Sequence, residues 1–304
     1  MLGLKVDMKL LITGAWSCTD EQLNQIERMG HSVLFMQNEK DVLPCAYEEV
    51  EGVVCNGLFL SHPIEKFSNL RFIQLTSAGF DRVPMEYVKT HGIEIHNARG
   101  VYGIPMAEFA LCGVLQLYKQ SRFFLENQKQ GRWEKHRGIL ELYGKTVCIV
   151  GCGNVGTECA KRFQAFGCNV LGVDLFPRED ASFEIIYALE EIDVALSQAD
   201  VVVLTLPLTD DTRYMMNEQR FAKMKTGSVL VNIARGAVVD EQALLKALDE
   251  KLLGAVLDVF EEEPLSFENA LWQKENVIVT PHNSFVGDGN KQRLLRIIVK
   301  YLGD

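Results

Sequence analysis

The segment Val147-Cys-Ile-Val-Gly-Cys-Gly-Asn-Val-Gly156 sets the architecture that we predict for this chain. A short apolar run leads into three glycines, Gly151, Gly153 and Gly156, at G-x-G-x-x-G spacing. Apolar residues at helical spacing follow, and the next apolar run ends at Asp174. A dinucleotide-binding βαβ unit requires this order of elements: a strand, a glycine turn, a helix and a second strand that ends in an acidic residue.

The residue types of this loop suit a bound pyrophosphate. Gly151 permits a tight turn, Gly153 lets the backbone approach the pyrophosphate, and Gly156 lets the helix and strand pack closely. Asn154 and Val155 begin the helix, whose N-terminus favours negative charge. We therefore expect these five residues to bind the cofactor.

Asp174 and Arg178 bear on which dinucleotide is bound. A carboxylate at position 174 accepts hydrogen bonds from the adenosine ribose hydroxyls and repels a 2′-phosphate. The sequence therefore favours NAD over NADP. Arg178 leaves NADP open, because a basic residue four positions further on could reach a 2′-phosphate.

Apolar, β-branched runs alternate with amphipathic stretches along the chain, which is typical of parallel sheets with crossover helices. The predicted fold class is α/β, with a Rossmann doubly wound cofactor domain and a flavodoxin-like α/β substrate domain. A first series of strands is expected at Lys9–Thr13, Ser32–Met36, Gly52–Asn56, Phe72–Leu75 and Ile93–His96. A second series of six is expected at Val147–Val150, Asn169–Val173, Val201–Leu206, Ser228–Ile233, Ala255–Val259 and Val277–Thr280.

One long helix is predicted over Met106–Gln130, which has no internal proline, and a last helix over Gly289–Leu302. We expect the substrate domain to comprise residues 1–100 and 284–304. The NAD-binding domain then comprises residues 101–283.

Composition narrows the classes of partner. The 304 residues include 31 Lys+Arg and 41 Asp+Glu, a formal net charge of −10, which argues against a nucleic-acid or anionic-membrane partner. The longest apolar stretches, such as Val147–Gly153, are far shorter than the roughly 20 residues that span a bilayer. The sequence has neither a C-x-x-C pair nor histidines at zinc spacing, so we expect no metal. A cytoplasmic protein with a small-molecule substrate is the expectation.

Three titratable or charged residues follow predicted strands, where ligands bind in open α/β sheets. They are Arg235, Glu263 and His282. Reduction of a 2-oxo acid needs a cation for the carboxylate, a proton donor for the carbonyl oxygen and an acid that positions that donor. Arginine, histidine and glutamate suit these roles, although for each residue taken singly an exposed surface position is the default interpretation.

Four segments resemble the D-isomer-specific 2-hydroxyacid dehydrogenase family, which includes phosphoglycerate dehydrogenases and glyoxylate/hydroxypyruvate reductases. They are VGCGNVG (150–156), NIARGAVVDEQALLKAL (232–248), GAVLDVFEEEPL (254–265) and VIVTPHNS (277–284). They occur in the family's order, and the resemblance covers nearly the whole chain. It implies a homodimer built on the cofactor domain.

The resemblance also implies site residues. Arg235 binds substrate, Glu263 pairs with the histidine, and His282 is the acid/base. Asp258 lies near the nicotinamide amide, or else is a structural hydrogen-bond acceptor. Four further residues are expected to contact the cofactor: Leu206, Pro207, Ile233 and Ala234. Leu206 and Pro207 are also consistent with simple strand termination.

The segment Leu75-Thr-Ser-Ala-Gly-Phe-Asp81 resembles the substrate loop of the family. This implies that the backbone of Ser77, Ala78 and Gly79 holds the substrate carboxylate. Tyr102 either lines the site or packs at a domain hinge.

Some features leave the substrate and the activity open. Many members of the family carry an aromatic residue soon after the TPH segment, where this chain has Asn283-Ser284-Phe285. Arg82 and Arg99 either hold a substrate phosphate or are surface charges. The alternatives to a 2-hydroxyacid dehydrogenase are a non-enzymatic NADH-sensing scaffold, similar to corepressors related to this family, and an enzyme that acts on formate or phosphite.

Overall fold

The computed structural model describes residues 7–303. They divide into two compact units, each built around one parallel sheet. The five-stranded unit contains the residues up to Val101 and those from Gly287 onward, and the seven-stranded unit is Tyr102–Val286. The predicted α/β class is confirmed, because every pair of neighbouring strands is parallel and α-helices connect most of the consecutive strands.

The five-stranded unit has the sheet order β2-β1-β3-β4-β5, the flavodoxin-like order predicted for it. Its strands are β1 (Lys9–Thr13), β2 (Ser32–Met36), β3 (Gly52–Cys55), β4 (Phe72–Leu75) and β5 (Glu94–His96). Its helices are α1 (Asp20–Glu27), α2 (Met85–Thr90) and α9 (Asn290–Gly303). Thr19 and Gln22 exchange hydrogen bonds between side chain and backbone at the start of α1, which fixes where that helix begins.

The seven-stranded unit has the order β12-β11-β10-β9-β6-β7-β8. This is the Rossmann arrangement, in which the strand order reverses between β6 and β9. The strands are β6 (Thr146–Val150), β7 (Asn169–Asp174), β8 (Ile185–Ala188), β9 (Val201–Leu204), β10 (Val229–Asn232), β11 (Gly254–Leu257) and β12 (Val277–Val279). The helices are α3 (Gly103–Tyr118), α4 (Ser121–Lys129), α5 (Asn154–Ala165), α6 (Ile192–Gln198), α7 (Glu218–Lys223) and α8 (Glu241–Glu250).

Both faces of the seven-stranded sheet are buried, which explains why its strands are continuously apolar rather than alternating. In β6, Val147 and Ile149 pack into one core cluster, whereas Cys148 and Val150 pack into the other. The five-stranded sheet has its own core cluster, which contains Val53 and Ile73.

Two predictions about this unit are wrong. The predicted helix over Met106–Gln130 is two helices, α3 and α4, because Gln120 adopts a left-handed backbone conformation with φ of 54°. The strand β8 was not predicted, because it is a four-residue edge strand in which only Ile186 is buried. Within residues 7–303, no helix combines the length and apolar character needed to cross a membrane.

Candidate active site

Apart from Tyr102, which precedes α3, the predicted site residues of the seven-stranded unit lie at or after the carboxyl ends of its strands. Because the strands are parallel, these ends share one edge of the sheet. Gly151, Gly153, Asn154, Val155 and Gly156 follow β6, and Asp174 ends β7. Leu206 and Pro207 follow β9, and Ile233, Ala234 and Arg235 follow β10. Asp258 and Glu263 follow β11, and His282 follows β12.

The glycine loop between β6 and α5 is packed tightly on one side and open on the other. Gly151 has φ of +98°, and a Cβ there would lie 2.7 Å from the backbone nitrogen of Leu206. A Cβ on Gly156 would lie 2.0 Å from the carbonyl oxygen of Gly151. A Cβ on Gly153 would instead meet nothing within 4 Å. The loop thus presents open space beside the N-terminus of α5, as a pyrophosphate requires.

Asp174 and Arg178 both contact the glycine loop. The Asp174 carboxylate accepts a hydrogen bond from the backbone nitrogen of Cys152 at 2.7 Å and from that of Phe176 at 3.0 Å. The Arg178 guanidinium donates to the Cys152 carbonyl oxygen. Burial, and then the nearby Asp174 charge, raise the pKa of the Cys152 thiol to about 12, so this cysteine stays protonated at neutral pH.

These features fit a bound dinucleotide. The open side of Gly153 and the free N–H groups expected at the start of α5 suit a pyrophosphate. Asp174 lies at the end of the neighbouring strand β7, as an acceptor for ribose hydroxyls requires.

His282 and Glu263 form a hydrogen-bonded pair. The Nδ1 atom of His282 lies 2.8 Å from Oε2 of Glu263, and the other carboxylate oxygen accepts from the backbone nitrogen of Phe260 at 3.0 Å. Glu263 thus holds the proton on Nδ1 and leaves Nε2 for proton exchange. The side chains are 42% and 36% exposed, so a ligand can reach them.

Asp258 holds the segment that carries His282. Its carboxylate is fully buried and accepts from the Thr280 hydroxyl at 2.6 Å and from the backbone nitrogens of Asn283 and Ser284, both at 2.8 Å. The Asp258 carbonyl also accepts from the backbone nitrogen of His282 at 2.8 Å. The structure therefore gives Asp258 a positioning role, and its contact with the cofactor stays a prediction.

Arg235 lies exposed at the end of a constrained loop. Asn232, which is buried, accepts from the backbone nitrogen of Ala234 at 3.1 Å and donates to the Arg235 carbonyl at 3.0 Å. The next residue, Gly236, approaches the backbone between Phe260 and Glu261 so closely that a Cβ would lie 1.8 Å from the Phe260 carbonyl carbon. This contact brings the Arg235 loop against the segment that carries Glu263.

Tyr102 is connected to His282 through Phe285. The Phe285 ring lies edge-on to the Tyr102 ring at 5.9 Å and to the His282 ring at 6.0 Å, measured between centroids. Burial raises the pKa of the Tyr102 hydroxyl, which is therefore neutral. Phe285, which lies outside the TPH segment, thus supplies an aromatic ring beside His282.

The remaining predicted residues, Ser77, Ala78 and Gly79, follow β4 in the five-stranded unit. The Ser77 hydroxyl donates to the Gly79 carbonyl at 3.1 Å, and the Asn97 side chain donates to the Ala78 carbonyl at 2.6 Å. Both bonds are accepted by carbonyl oxygens of the loop. They therefore do not involve the backbone N–H groups of Ser77, Ala78 and Gly79, which were predicted to hold the substrate carboxylate.

Three residues of the site were not predicted: Thr205, Asn232 and Phe285. The Thr205 hydroxyl donates to the Gly151 carbonyl at 2.6 Å and so fixes the glycine loop from β9. Asn232 had a detectable signal, because it is a polar residue that ends an apolar strand. Phe285 was noted after the TPH segment, but its contact with His282 was not predicted, because that contact depends on the turn after β12.

Comparison with known proteins agrees with this geometry. Residues 111–284 match the family model described as "D-isomer specific 2-hydroxyacid dehydrogenase, NAD binding domain". The chain is 38% identical over 223 residues to D-3-phosphoglycerate dehydrogenase of Methanocaldococcus jannaschii, a match that covers 72% of this chain and 42% of that protein. It is 33% identical over 282 residues to glyoxylate reductase of Pyrococcus horikoshii, covering 86% and 82% of the two chains. The chain thus spans about two fifths of the length of the phosphoglycerate dehydrogenase.

Solved structures give the same result over almost the full chain. A D-isomer specific 2-hydroxyacid dehydrogenase family protein from Aeromonas salmonicida has a TM-score of 0.83 and 31% identity, with coverage of 97% of this chain and 94% of that one. D-lactate dehydrogenase from Aquifex aeolicus, complexed with NAD and lactic acid, has a TM-score of 0.75 and 28% identity, covering 96% and 94%. A dehydrogenase from Xanthobacter autotrophicus, complexed with NADPH and MES, has a TM-score of 0.78 and 27% identity, covering 98% and 94%.

Two glycine substitutions should separate stability from ligand binding. Gly156→Ala places a Cβ against the Gly151 carbonyl, so we expect a loss of about 1–3 kcal/mol of unfolding free energy. Gly153→Ala places its Cβ in open space and should leave the melting temperature unchanged while raising the Kd for NADH at least about tenfold. Thermal unfolding and NADH fluorescence titration measure the two effects. Equal NADH affinity in Gly153→Ala and the unmodified chain would show that this space binds no pyrophosphate.

Asp258→Asn tests the positioning role of the buried carboxylate. The amide replaces one acceptor oxygen with a donor that faces N–H or O–H groups, so we expect a loss of about 1–3 kcal/mol in stability and a lower kcat. Asp249→Asn, at an exposed ion pair with Lys274, is the matched control and should change stability by less than about 1 kcal/mol. Equal effects of the two substitutions would remove the positioning role.

Proposed function

This chain belongs to the D-isomer-specific 2-hydroxyacid dehydrogenase family, and on that premise we propose that it transfers a hydride between NAD(H) and C2 of a small D-2-hydroxy acid or 2-oxo acid. The observation that carries the proposal is the His282–Glu263 pair at 2.8 Å, on the same sheet edge as the glycine loop. Relatives named phosphoglycerate dehydrogenase, glyoxylate reductase and hydroxypyruvate reductase share chemistry at C2 and differ in the rest of the substrate.

Recognition of the substrate carboxylate is assigned to Arg235 and to the loop after β4. The exposed guanidinium of Arg235 offers two parallel donors to a carboxylate. The backbone N–H groups of Ser77, Ala78 and Gly79 supply further donors. Both recognise a group that every 2-oxo acid has.

Proton transfer is assigned to His282. When the carbonyl at C2 is reduced, its oxygen gains a proton, and Nε2 of His282 is the donor because Nδ1 is held by Glu263. Bound NADH supplies the hydride in that direction and NAD accepts it in reverse. In oxidation, Nε2 takes the hydroxyl proton. Glu263, fixed by the backbone of Phe260, keeps the ring oriented in both directions.

The cofactor is assigned to the glycine loop and its surroundings. Gly153 and the N-terminus of α5 would hold the pyrophosphate, and Asp174 would accept hydrogen bonds from the adenosine ribose hydroxyls. Leu206, Pro207, Ile233 and Ala234 follow the adjacent strands β9 and β10 at the same edge. NAD is preferred to NADP, because Asp174 carries the charge that repels a 2′-phosphate.

Assembly as a homodimer through the seven-stranded unit is part of the proposal. Large apolar side chains exposed on this unit support it, since exposed apolar patches commonly mark protein interfaces. Trp133 is 98% exposed and Tyr143 is 78% exposed. A cytoplasmic location stays a prediction.

Turnover should require His282. We expect His282→Ala to lower kcat for NADH-dependent reduction by a factor of about 10² to 10⁴ and to leave the Kd for NADH nearly unchanged. The assay compares glyoxylate, hydroxypyruvate, phosphohydroxypyruvate, pyruvate and 2-oxoisocaproate. His91→Ala, at an exposed histidine of α2's C-terminal end, is the matched control.

Two outcomes would contradict the assignment. Full turnover by His282→Ala would remove the acid/base role of this residue. NADH binding without turnover of any 2-oxo acid in the unmodified chain would instead favour a binding function over an enzymatic one.

Cofactor preference should depend on Asp174. We expect Asp174→Ala to weaken NADH binding by about 10- to 100-fold, through loss of hydrogen bonds to a charged acceptor, and to weaken NADPH binding much less. Asp174→Asn keeps an acceptor for Cys152 and controls for disruption of the loop. Tighter binding of NADPH than NADH by the unmodified chain would overturn this assignment.

A further inference from the structure

We propose that Glu39 restricts this enzyme to 2-oxo acids that carry no phosphate group, such as glyoxylate and hydroxypyruvate. The inference rests on the proposed function and names its substrate class. It concerns the carboxyl edge of the five-stranded sheet, where Ser77, Ala78 and Gly79 follow β4.

Glu39 is fixed at this edge by three hydrogen bonds from two strand ends. Oε1 accepts from the Thr13 hydroxyl at 2.8 Å and from the backbone nitrogen of Asn56 at 2.6 Å. Oε2 accepts from the backbone nitrogen of Gly57 at 2.7 Å. Thr13 ends β1, and Asn56 and Gly57 follow β3. The negative charge therefore has a defined position rather than a mobile one.

The two backbone N–H groups are the donors that an anion would use. Successive N–H groups that converge on one point form a concave site for phosphate or carboxylate. In this chain the Glu39 carboxylate fills that site. A substrate phosphate would have to displace a carboxylate that is covalently attached to the protein and would meet its charge at short range.

This site lies directly beside the loop assigned to the substrate. β3 and β4 are paired in parallel with Cys55 opposite Leu75, and the backbone nitrogen of Thr76 donates to the Cys55 carbonyl at 2.8 Å. Asn56 and Gly57 therefore leave the sheet next to Thr76 and Ser77. A substrate held at the backbone of Ser77, Ala78 and Gly79 would therefore carry its remaining substituents beside the strand end that bears Glu39.

Two further side chains, Arg82 and Leu60, lie at Gly57 beside Glu39. The Cδ atom of Arg82, a candidate for holding a phosphate, lies 3.8 Å from the position of a Cβ on Gly57, and Glu39 Oε2 lies 3.4 Å from it. A phosphate attracted to Arg82 would therefore also meet the Glu39 carboxylate. Leu60, which is 70% exposed, contacts the same point at 3.4 Å and adds apolar surface.

The test compares two substrates that differ only in the phosphate. We measure kcat/KM with NADH for hydroxypyruvate and for phosphohydroxypyruvate, using the full chain. The unmodified chain should prefer hydroxypyruvate, and Glu39→Gln should raise the phosphohydroxypyruvate-to-hydroxypyruvate ratio by about tenfold or more, since the charge is removed and the side-chain shape is kept. Inorganic phosphate should also become a stronger competitive inhibitor. Glu27→Gln, at an exposed glutamate of α1, removes the same charge elsewhere and should leave the ratio unchanged.

The outcomes are distinguishable. Turnover of phosphohydroxypyruvate equal to or better than that of hydroxypyruvate would overturn the inference and leave the proposed function intact. An unchanged ratio in Glu39→Gln would also overturn the role of Glu39. Absence of turnover with every 2-oxo acid would instead contradict the proposed function.

Ionic strength provides a second measurement, which does not depend on the folding of a variant. Salt screens repulsion between a carboxylate and a phosphate, so KM for phosphohydroxypyruvate in the unmodified chain should fall relative to that for hydroxypyruvate between about 0.05 and 0.3 M salt. A relative KM that rises with salt would mean that attraction to a cation such as Arg82 dominates, which would overturn the inference.

Discussion

Every loop that carries the proposed cofactor and proton-transfer chemistry leaves one edge of a single sheet, because all neighbouring strands of the seven-stranded sheet are parallel. An antiparallel strand would send its following loop to the opposite edge. The sheet can be fully parallel only because both of its faces are covered, which its continuously apolar strands make possible. Burial of residues such as Val203 and Val231 is thus what places Gly151, Asp174 and His282 along one edge of the sheet.

Position at an edge does not by itself orient a side chain, and buried polar groups supply the orientation. Asp258 is an ionisable residue with no exposure to solvent, which is costly unless each oxygen is hydrogen-bonded. Its three donors all lie in the segment after β12, so satisfying the carboxylate fixes the backbone around His282, whose φ of 50° is unusual for a residue other than glycine. Thr205 and Asn232 perform the same task for the glycine loop and for the Arg235 loop.

The sequence predicted those parts of the molecule that depend on local pattern. Strands such as β1, β2 and β4 were predicted with the observed bounds, because short apolar runs between turn residues are locally defined. The break between α3 and α4 was missed, since nothing in the residue type of Gln120 specifies a left-handed conformation. Contacts between distant segments were also missed. The placement of Phe285 beside His282, and of Glu39 on the turn after β3, depends on tertiary structure.

The family model matches the seven-stranded unit, whereas the five-stranded unit lies outside that match. The family match at residues 111–284 lies entirely in the seven-stranded unit, which holds the residues assigned to NAD and to proton transfer. These tasks are the same for every 2-oxo acid. The side chains that could distinguish one substrate from another include Glu39, Leu60 and Arg82, which lie in the five-stranded unit. Similarity to a phosphoglycerate dehydrogenase over the shared chemistry is therefore weak evidence for a phosphorylated substrate. A fixed carboxylate on the backbone donors that a phosphate would use is a more direct constraint on what this chain accepts.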